Sequence, residues 1–150
     1  VKIEVLIRKY KAEFRREVVE IEYPVKSAIG ILVKSPGQIL ADKVTSLAGG
    51  FRRGYIRWRD VFDIYWLKEK FNAEVDWSYF RQEFGSWVEK PEDLISLLEK
   101  LRFDEEIAKT ALEELQRVLP RSLAEPELIE KYIAVTREVI QECAKVVTSL

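Results

Sequence analysis

The spacing of apolar residues changes once along this chain, at Ser35, and the change limits the folds that it can adopt. Before Ser35, apolar and polar residues alternate in VKIEVLIR and in EVVEIEY, which is the period-two pattern of half-buried strands. The apolar run 28–33 reads as a third short strand. After Ser35 the apolar residues recur at helical spacing. We therefore predict an α+β fold, with a small N-terminal antiparallel β element of two to three strands packed on a C-terminal helical bundle of about five to six helices.

Start and stop signals divide the helical part of the sequence. The segment SPGQ at 35–38 predicts a helix start, because Ser can cap, Pro suits the first helical position and Gln completes a capping box. Gly49-Gly50 predicts the end of that helix. We interpret the chain as a single domain, 1–150, made of the β element 1–34 and the bundle 35–150. Further helices are predicted near 58–70, 76–84, 91–101, 104–118 and 126–147, with Pro91 and Pro126 as first helical residues and Asp104 as an N-cap.

Composition excludes several classes of protein and of catalytic site. Hydrophobic residues make up 47% and charged residues 34%, which is typical of a folded core with a charged surface. The net charge of −1 gives no overall attraction to nucleic acid. The absence of histidine excludes Ser-His and Cys-His catalysis. Cys143, the single cysteine, excludes an intrachain disulfide and is expected to be a small buried hydrophobic residue.

The cellular setting follows from the same features. No apolar run of the sequence is long enough to span a bilayer. A single cysteine fits a reducing compartment, so we expect a cytoplasmic protein. The many Glu, Lys and Arg residues are compatible with a thermophilic source.

Lys43 lies on the apolar face of the first predicted helix. It follows Leu40 by three residues and precedes Leu47 by four, so all three share one side of the helix. An ammonium group on an apolar face is costly unless it reaches water or an anion. One interpretation is that the stem packs while the charged end reaches solvent. The other is a functional site, which the acidic residues of the next helix favour.

Those acidic residues are Asp60 and Asp63, which lie three positions apart and therefore on one face. Ile64 and Leu67 continue the same face, so the carboxylates need a cation or a hydrogen-bond donor. The structural alternative is that Arg59 pairs with Asp63 at i, i+4 while Asp60 caps the helix.

The connection between these two helices, FRRGYIRWR at 51–59, combines arginine and aromatic residues without any acid. Arginine forks suit phosphates and aromatic faces suit bases, so the segment is a candidate contact for an NTP or RNA. The alternative is a solvated loop whose aromatic residues are buried in the core. The candidate nucleic-acid contacts are Arg52, Arg53, Tyr55 and Trp58.

Two stretches, PGQILADKVTSL at 36–47 and RDVFDIYWL at 59–67, resemble the AbiEii family of nucleotidyltransferases, which includes toxins of abortive-infection and toxin–antitoxin systems. The family pattern is a helix with Leu-Ala-x-Lys, a variable Arg-rich turn, and then Arg-Asp-x-x-Asp-x-Tyr-x-Leu. The segments before and after these stretches fit the family less specifically.

The resemblance implies transfer of a nucleotide from an NTP to an acceptor such as tRNA, with Mg²⁺ neutralising the triphosphate. It implies that Lys43, with Arg57 and Arg59, binds the NTP phosphates. It also implies that Asp60 acts near the transfer chemistry, as a candidate base, and that Asp63 supports it.

The family's metal-binding Gly-Ser…Asp-x-Asp segment precedes the matched region, and we expect this chain to begin too late to contain it. One hypothesis is that the chain is the C-terminal part of an enzyme that needs a separate N-terminal half. The alternative hypothesis is a non-catalytic relative that binds a nucleotide, RNA or protein, and a third reading is a helical domain whose acids are all structural. A cognate antitoxin is a further expected partner, and dimerisation through exposed strand edges is plausible.

Overall fold

The computed structural model of the chain describes residues 15–21, 27–87 and 90–148. The chain divides into two compact units, 1–35 and 36–150. In the first unit, strand β1 (Arg15–Ile21) pairs with strand β2 (Ser27–Val33) in an antiparallel arrangement, with Arg15 opposite Val33 and Ile21 opposite Ser27. The strand predicted at VKIEVLIR lies outside the described residues.

The second unit contains six α-helices among its described residues. A short 3₁₀ turn, Arg121–Leu123, precedes the last of them. The helices are α1 (Pro36–Arg52), α2 (Trp58–Phe71), α3 (Trp77–Trp87), α4 (Glu92–Lys100), α5 (Glu105–Leu115) and α6 (Pro126–Thr148).

The prediction of an α+β fold is wrong. Every regular element described in the unit 36–150 is helical, so its core is built by helices packing on one another. The strands β1 and β2 belong to the other unit. The physical reason is that a period-two pattern indicates a strand with an apolar face but does not specify what covers that face.

Helices α1 and α6 organise the helical unit. Helix α1 contacts α2, α3 and α4, and its residues Leu40, Val44 and Leu47 are fully buried. Helix α6 contacts α2, α4 and α5. The Thr136 hydroxyl of α6 donates to the backbone carbonyl of Val61 in α2, at 3.2 Å. The placement of α2 is therefore fixed by its direct contact with α1 and by its contact with α6.

Further polar contacts attach α6 and α3 to their neighbours. Arg137 of α6 donates through Nη1 to the carbonyl of Leu98 and, at 2.8 Å, to that of Leu101. The Tyr79 hydroxyl of α3 donates to the Asp42 carboxylate of α1, at 2.9 Å. This second bond joins α3 to the residue that precedes Lys43.

Several helix boundaries agree with the sequence, and two do not. Pro91, predicted as a first helical residue, is instead the N-cap of α4, which begins at Glu92. Asp104 accepts a hydrogen bond from the backbone N–H of Ile107 at 2.8 Å, so its prediction as an N-cap is confirmed. Pro126 is the first residue of α6, as predicted. The prediction that Gly49-Gly50 ends α1 is wrong, because the helix continues to Arg52. The turn that follows places Gly54 at φ 89°, a backbone conformation that favours glycine.

No helix among the described residues has the length and apolar character needed to cross a membrane.

Candidate functional site

Lys43 of α1 lies between the two carboxylates of α2. Its Nζ is 3.1 Å from Oδ1 of Asp60 and 2.5 Å from Oδ2 of Asp63. The Asp60 side chain is 2% exposed, whereas those of Lys43 and Asp63 are 28% and 31% exposed. The cluster is therefore anchored on a buried carboxylate and opens to solvent on the side of Lys43 and Asp63.

Arg57 adds a second cation to the cluster from the start of α2. Its Nε is 3.1 Å from Oδ2 of Asp60, in an ion pair without hydrogen-bond geometry. Its Nη1 donates to the Ser46 hydroxyl at 2.6 Å. Arg57 is the N-cap residue, with φ −86° and ψ 88°, so its side chain projects from non-helical backbone.

Gly50 provides the space in which the Arg57 side chain lies. A Cβ atom at Gly50 would be 3.0 Å from Cγ of Arg57 and 3.2 Å from Cδ. Distances of this size are tighter than ordinary van der Waals contact, so any larger residue would displace the arginine stem. The glycine that was predicted to end α1 therefore serves the site.

The charge balance of the cluster favours a protonated lysine. Burial of Lys43 opposes its charge, but the hydrogen bond to Asp63 and the charges of Asp60 and Asp63 outweigh that effect and raise the pKa of the ammonium group above its usual range. Lys43 consequently stays cationic at neutral pH, although it sits on an apolar helix face.

The structure shows which partners the α2 acids have. Asp60 is not the cap of α2, because Arg57 occupies the N-cap position. Within the described part of the chain, Asp63 pairs with Lys43, and Arg59 is exposed and forms no ion pair. The predicted structural pair of Arg59 with Asp63 is therefore wrong, and the grouping of Lys43 with both acids is what the geometry shows.

Apart from Arg57, the arginine-rich connection makes contacts outside this cluster. Arg52 and Arg53 are exposed, and Arg53 donates to the Tyr55 hydroxyl at 3.1 Å while its guanidinium lies 5.6 Å from the ring centre. Tyr55 is 48% exposed, whereas Trp58 is buried at 2%. The Tyr55 ring is therefore accessible to a ligand, whereas the Trp58 side chain is part of the buried core.

Sequence reasoning missed Ser46 and Gly50. Ser46 follows Lys43 by three positions on α1, so helical spacing places both on one face. This spacing could have indicated that Ser46 lies near the cluster. The sequence contains no comparable signal for Gly50. Its close contact with the Arg57 side chain depends on the backbone conformation of the non-helical residues before α2.

The described residues do not fit a resident magnesium site. The Lys43 ammonium occupies the space between Asp60 and Asp63 where a cation would bind. No group of three or more Asp, Glu, Cys or His residues in the described part of the chain could hold a metal ion. We therefore derive no step through magnesium at this cluster.

The arrangement as a whole is suited to binding an anion. Lys43 and Arg57 supply two cations, and both keep partly exposed side chains. Asp60 contacts both cations and holds their side chains in place. Ligand binding therefore does not have to immobilise them, which lowers the entropy cost of binding.

Comparison with known proteins identifies the family of the chain. The family model described as "Nucleotidyl transferase AbiEii toxin, Type IV TA system" matches residues 1–135. No curated protein and no solved structure matches the chain. The match supports a nucleotidyltransferase-type function within a toxin–antitoxin system. The chain belongs to the AbiEii nucleotidyltransferase toxin family.

Proposed function

We propose that the Lys43 cluster binds the phosphates of an NTP and supports transfer of a nucleotide to an acceptor such as tRNA. The observation that carries the proposal is the position of the Lys43 ammonium, held by Asp60 and Asp63 and still open to solvent. Lysine serves as a compact point charge for phosphate, and the Arg57 guanidinium adds a planar fork. Arg59, the exposed second residue of α2, is a further candidate phosphate contact.

The proposed reaction forms a bond between an acceptor oxygen and the α-phosphorus while the bond to pyrophosphate breaks. Lys43 and Arg57 stabilise the negative charge that develops on the leaving pyrophosphate. Lys43 exchanges its contact with Asp63 for one with phosphate, which frees the Asp63 carboxylate to accept the proton of the acceptor hydroxyl. Asp60 has both oxygens next to cations, so its proposed role is to position Lys43 and Arg57.

Transfer also needs groups that the described cluster does not supply. The 150 residues contain no Asp-x-Asp sequence, the carboxylate pair that the family's metal-binding segment carries. We propose that the metal ligands of the complete enzyme lie outside these 150 residues, with Mg²⁺ arriving on the NTP, and that the setting is the cytoplasm. The purified chain alone is expected to incorporate no labelled NTP into RNA. Robust magnesium-dependent incorporation by the chain alone would contradict this part of the proposal.

Nucleotide binding is tested by calorimetry with Lys43→Ala. Loss of a phosphate-contacting cation is expected to weaken NTP affinity by roughly tenfold or more, since charged hydrogen bonds contribute about 1.5–3 kcal/mol. Lys68→Ala is the matched control, because Lys68 also pairs with a carboxylate, that of the exposed Glu74 at 3.1 Å. Equal NTP affinity for parent and Lys43→Ala would refute phosphate binding by this cluster.

Asp63→Asn separates a role in transfer from a role in binding. The change removes the carboxylate that competes with phosphate for Lys43, so NTP affinity is expected to rise. Transfer, measured with the complete enzyme, is expected to fall because the proton acceptor is lost. Unchanged binding together with unchanged transfer would show that Asp63 is structural.

The second candidate function is nucleotide or RNA binding without catalysis. It is favoured by the ion pair between Asp63 and Lys43 at 2.5 Å, which must break before the Asp63 carboxylate can accept a proton. A complete two-part preparation that binds NTP but transfers none would select this function.

A further inference from the structure

A cavity of about 890 Å³ lies apart from the Lys43 cluster, between the α1–α2 connection and α5. Its first wall is formed by Phe51, Tyr55 and Trp58, and its second by Ile107 and Thr110. None of the residues of the Lys43 cluster lines it. The volume lies within the range of small-molecule sites, so the cavity can accept a ring-sized group.

The lining of the cavity is suited to a flat, uncharged group with hydrogen-bonding edges. Aromatic faces occupy one wall, and a planar ring stacks on such faces. Acidic residues outnumber basic residues in the lining, with Glu99, Asp104, Glu106 and Glu114 against Lys100 and Arg102. This excess of carboxylates disfavours a phosphate inside the cavity, whereas the carboxylates and the Thr110 hydroxyl can meet the donors and acceptors of an uncharged nucleobase edge.

Two arginines adjoin the aromatic wall of the cavity in sequence. Arg52 and Arg53 follow Phe51 directly in sequence, and both are exposed. The Arg53 guanidinium is attached to Tyr55, a cavity residue, through its hydroxyl and its ring face. Cations beside an aromatic wall are the arrangement with which proteins hold the phosphates and bases of single-stranded nucleic acid.

We propose that this cavity binds an unstacked nucleobase of single-stranded RNA, while Arg52 and Arg53 bind the adjoining phosphates. This proposal names the surface that would bind the RNA acceptor of the proposed nucleotide transfer. It rests on the proposed function in one respect, namely that the bound RNA is the acceptor. Phe51 follows Lys43 by eight residues on α1, a separation of about 12 Å along the helix axis. A strand seated in the cavity therefore reaches the Lys43 cluster within a few nucleotides.

The experiment fills the cavity with a large side chain and measures whether the protein still binds RNA more tightly than a chain without bases. The probes are a fluorescein-labelled single-stranded RNA of about ten nucleotides and a ribose-phosphate chain of equal length and charge without bases. By fluorescence anisotropy the parent is expected to bind the RNA roughly tenfold or more tightly than the base-free chain, because each stacked base adds affinity.

Thr110→Trp places a large side chain at an exposed position on the cavity wall and is expected to abolish the preference for bases. Ser96→Trp is the matched control, because Ser96 is an exposed hydroxyl residue of α4 that does not line the cavity. Tyr55→Leu removes an exposed stacking surface without changing charge, and it is expected to reduce the preference if Thr110→Trp fails to fold.

Three outcomes would overturn the inference. The parent could bind the base-free chain as tightly as RNA, or Thr110→Trp could keep the full preference for bases. Thr110→Trp could also weaken NTP binding in calorimetry while leaving RNA binding intact, which would assign the cavity to the base of the NTP. Failure of the proposed function is distinguishable, because it appears as unchanged NTP affinity in Lys43→Ala whatever the RNA result.

Discussion

Gly37 is the residue at which the packing of α1 can be tested with one methyl group. Its position in the first turn of α1 lies against the connection between α2 and α3, where Asp76 N–H donates to the Gly37 carbonyl at 3.4 Å. A Cβ atom on Gly37 would be 2.4 Å from the backbone oxygen of Glu74 and 3.3 Å from the backbone nitrogen of Asp76. Ordinary contact begins at 3.4 Å, so the backbone must move by about 1 Å to admit Ala.

The free energy of unfolding is therefore expected to fall in Gly37→Ala. Overpacking against backbone costs about 1–3 kcal/mol, and the helix preference of Ala over Gly offsets up to about 1 kcal/mol of it. A net loss of about 2 kcal/mol corresponds to a fall in Tm of roughly 4–8 °C for a chain of this size. Thermal and urea unfolding followed by circular dichroism measure both quantities.

Gly85→Ala is the matched control for this substitution. Gly85 lies inside α3, and a Cβ atom there would meet nothing within 4 Å. The same change is expected to stabilise the protein by about 0.5–1 kcal/mol, because Gly is unfavourable within a helix. Equal Tm values for parent and Gly37→Ala, or an equal loss in Gly85→Ala, would refute the argument from close backbone approach.

Three further predictions concern Asp60, Lys43 and Cys143. Asp60→Asn is expected to lower the free energy of unfolding by about 2 kcal/mol in urea titrations, since it leaves two partly buried cations without their shared partner, whereas Asp63→Asn is expected to cost under about 1 kcal/mol. The pKa of Lys43 is raised in the folded protein, so the contribution of its charge to stability is fully present below pH 10.5, the ordinary lysine value. That contribution is lost as the pH rises through the higher folded value. As the pH rises, the stability difference between parent and Lys43→Met is therefore expected to shrink in that alkaline range. Burial raises the pKa of the Cys143 thiol to about 12, so modification by a thiol reagent at pH 8 is expected to follow the rate of unfolding, and rapid labelling of the native protein would contradict the buried placement.

The charge cluster could be predicted from sequence because its main members lie on helices. Lys43 on an apolar face and Asp60 with Asp63 three residues apart define faces through helical spacing alone. That spacing predicted which residues meet, and the structure agrees for these three. Cys143 is buried, as its apolar neighbours in the sequence predicted.

The rest could not be read from spacing, since it depends on non-helical backbone and on tertiary packing. The expected pair of Arg59 with Asp63 is replaced by a pair of Arg57 with Asp60, which Arg57 makes from non-helical backbone at the N-cap. The continuation of α1 through Gly50 and the close approach at Gly37 arise from neighbouring segments that no local pattern identifies. The fold class was mispredicted for a related reason, because alternation along a strand says nothing of the unit to which the strand belongs.

The position of α6 has a consequence for where this domain can be cut. The family match ends at residue 135, but α6 continues to Thr148. The first two residues beyond the match, Thr136 and Arg137, hold α2 and α4, and the buried Ile140 and Cys143 follow. The limit of detectable similarity therefore falls inside a cooperative folding unit, and a chain shortened to that limit would lose the support on which the geometry of α2, and with it the Lys43 cluster, depends.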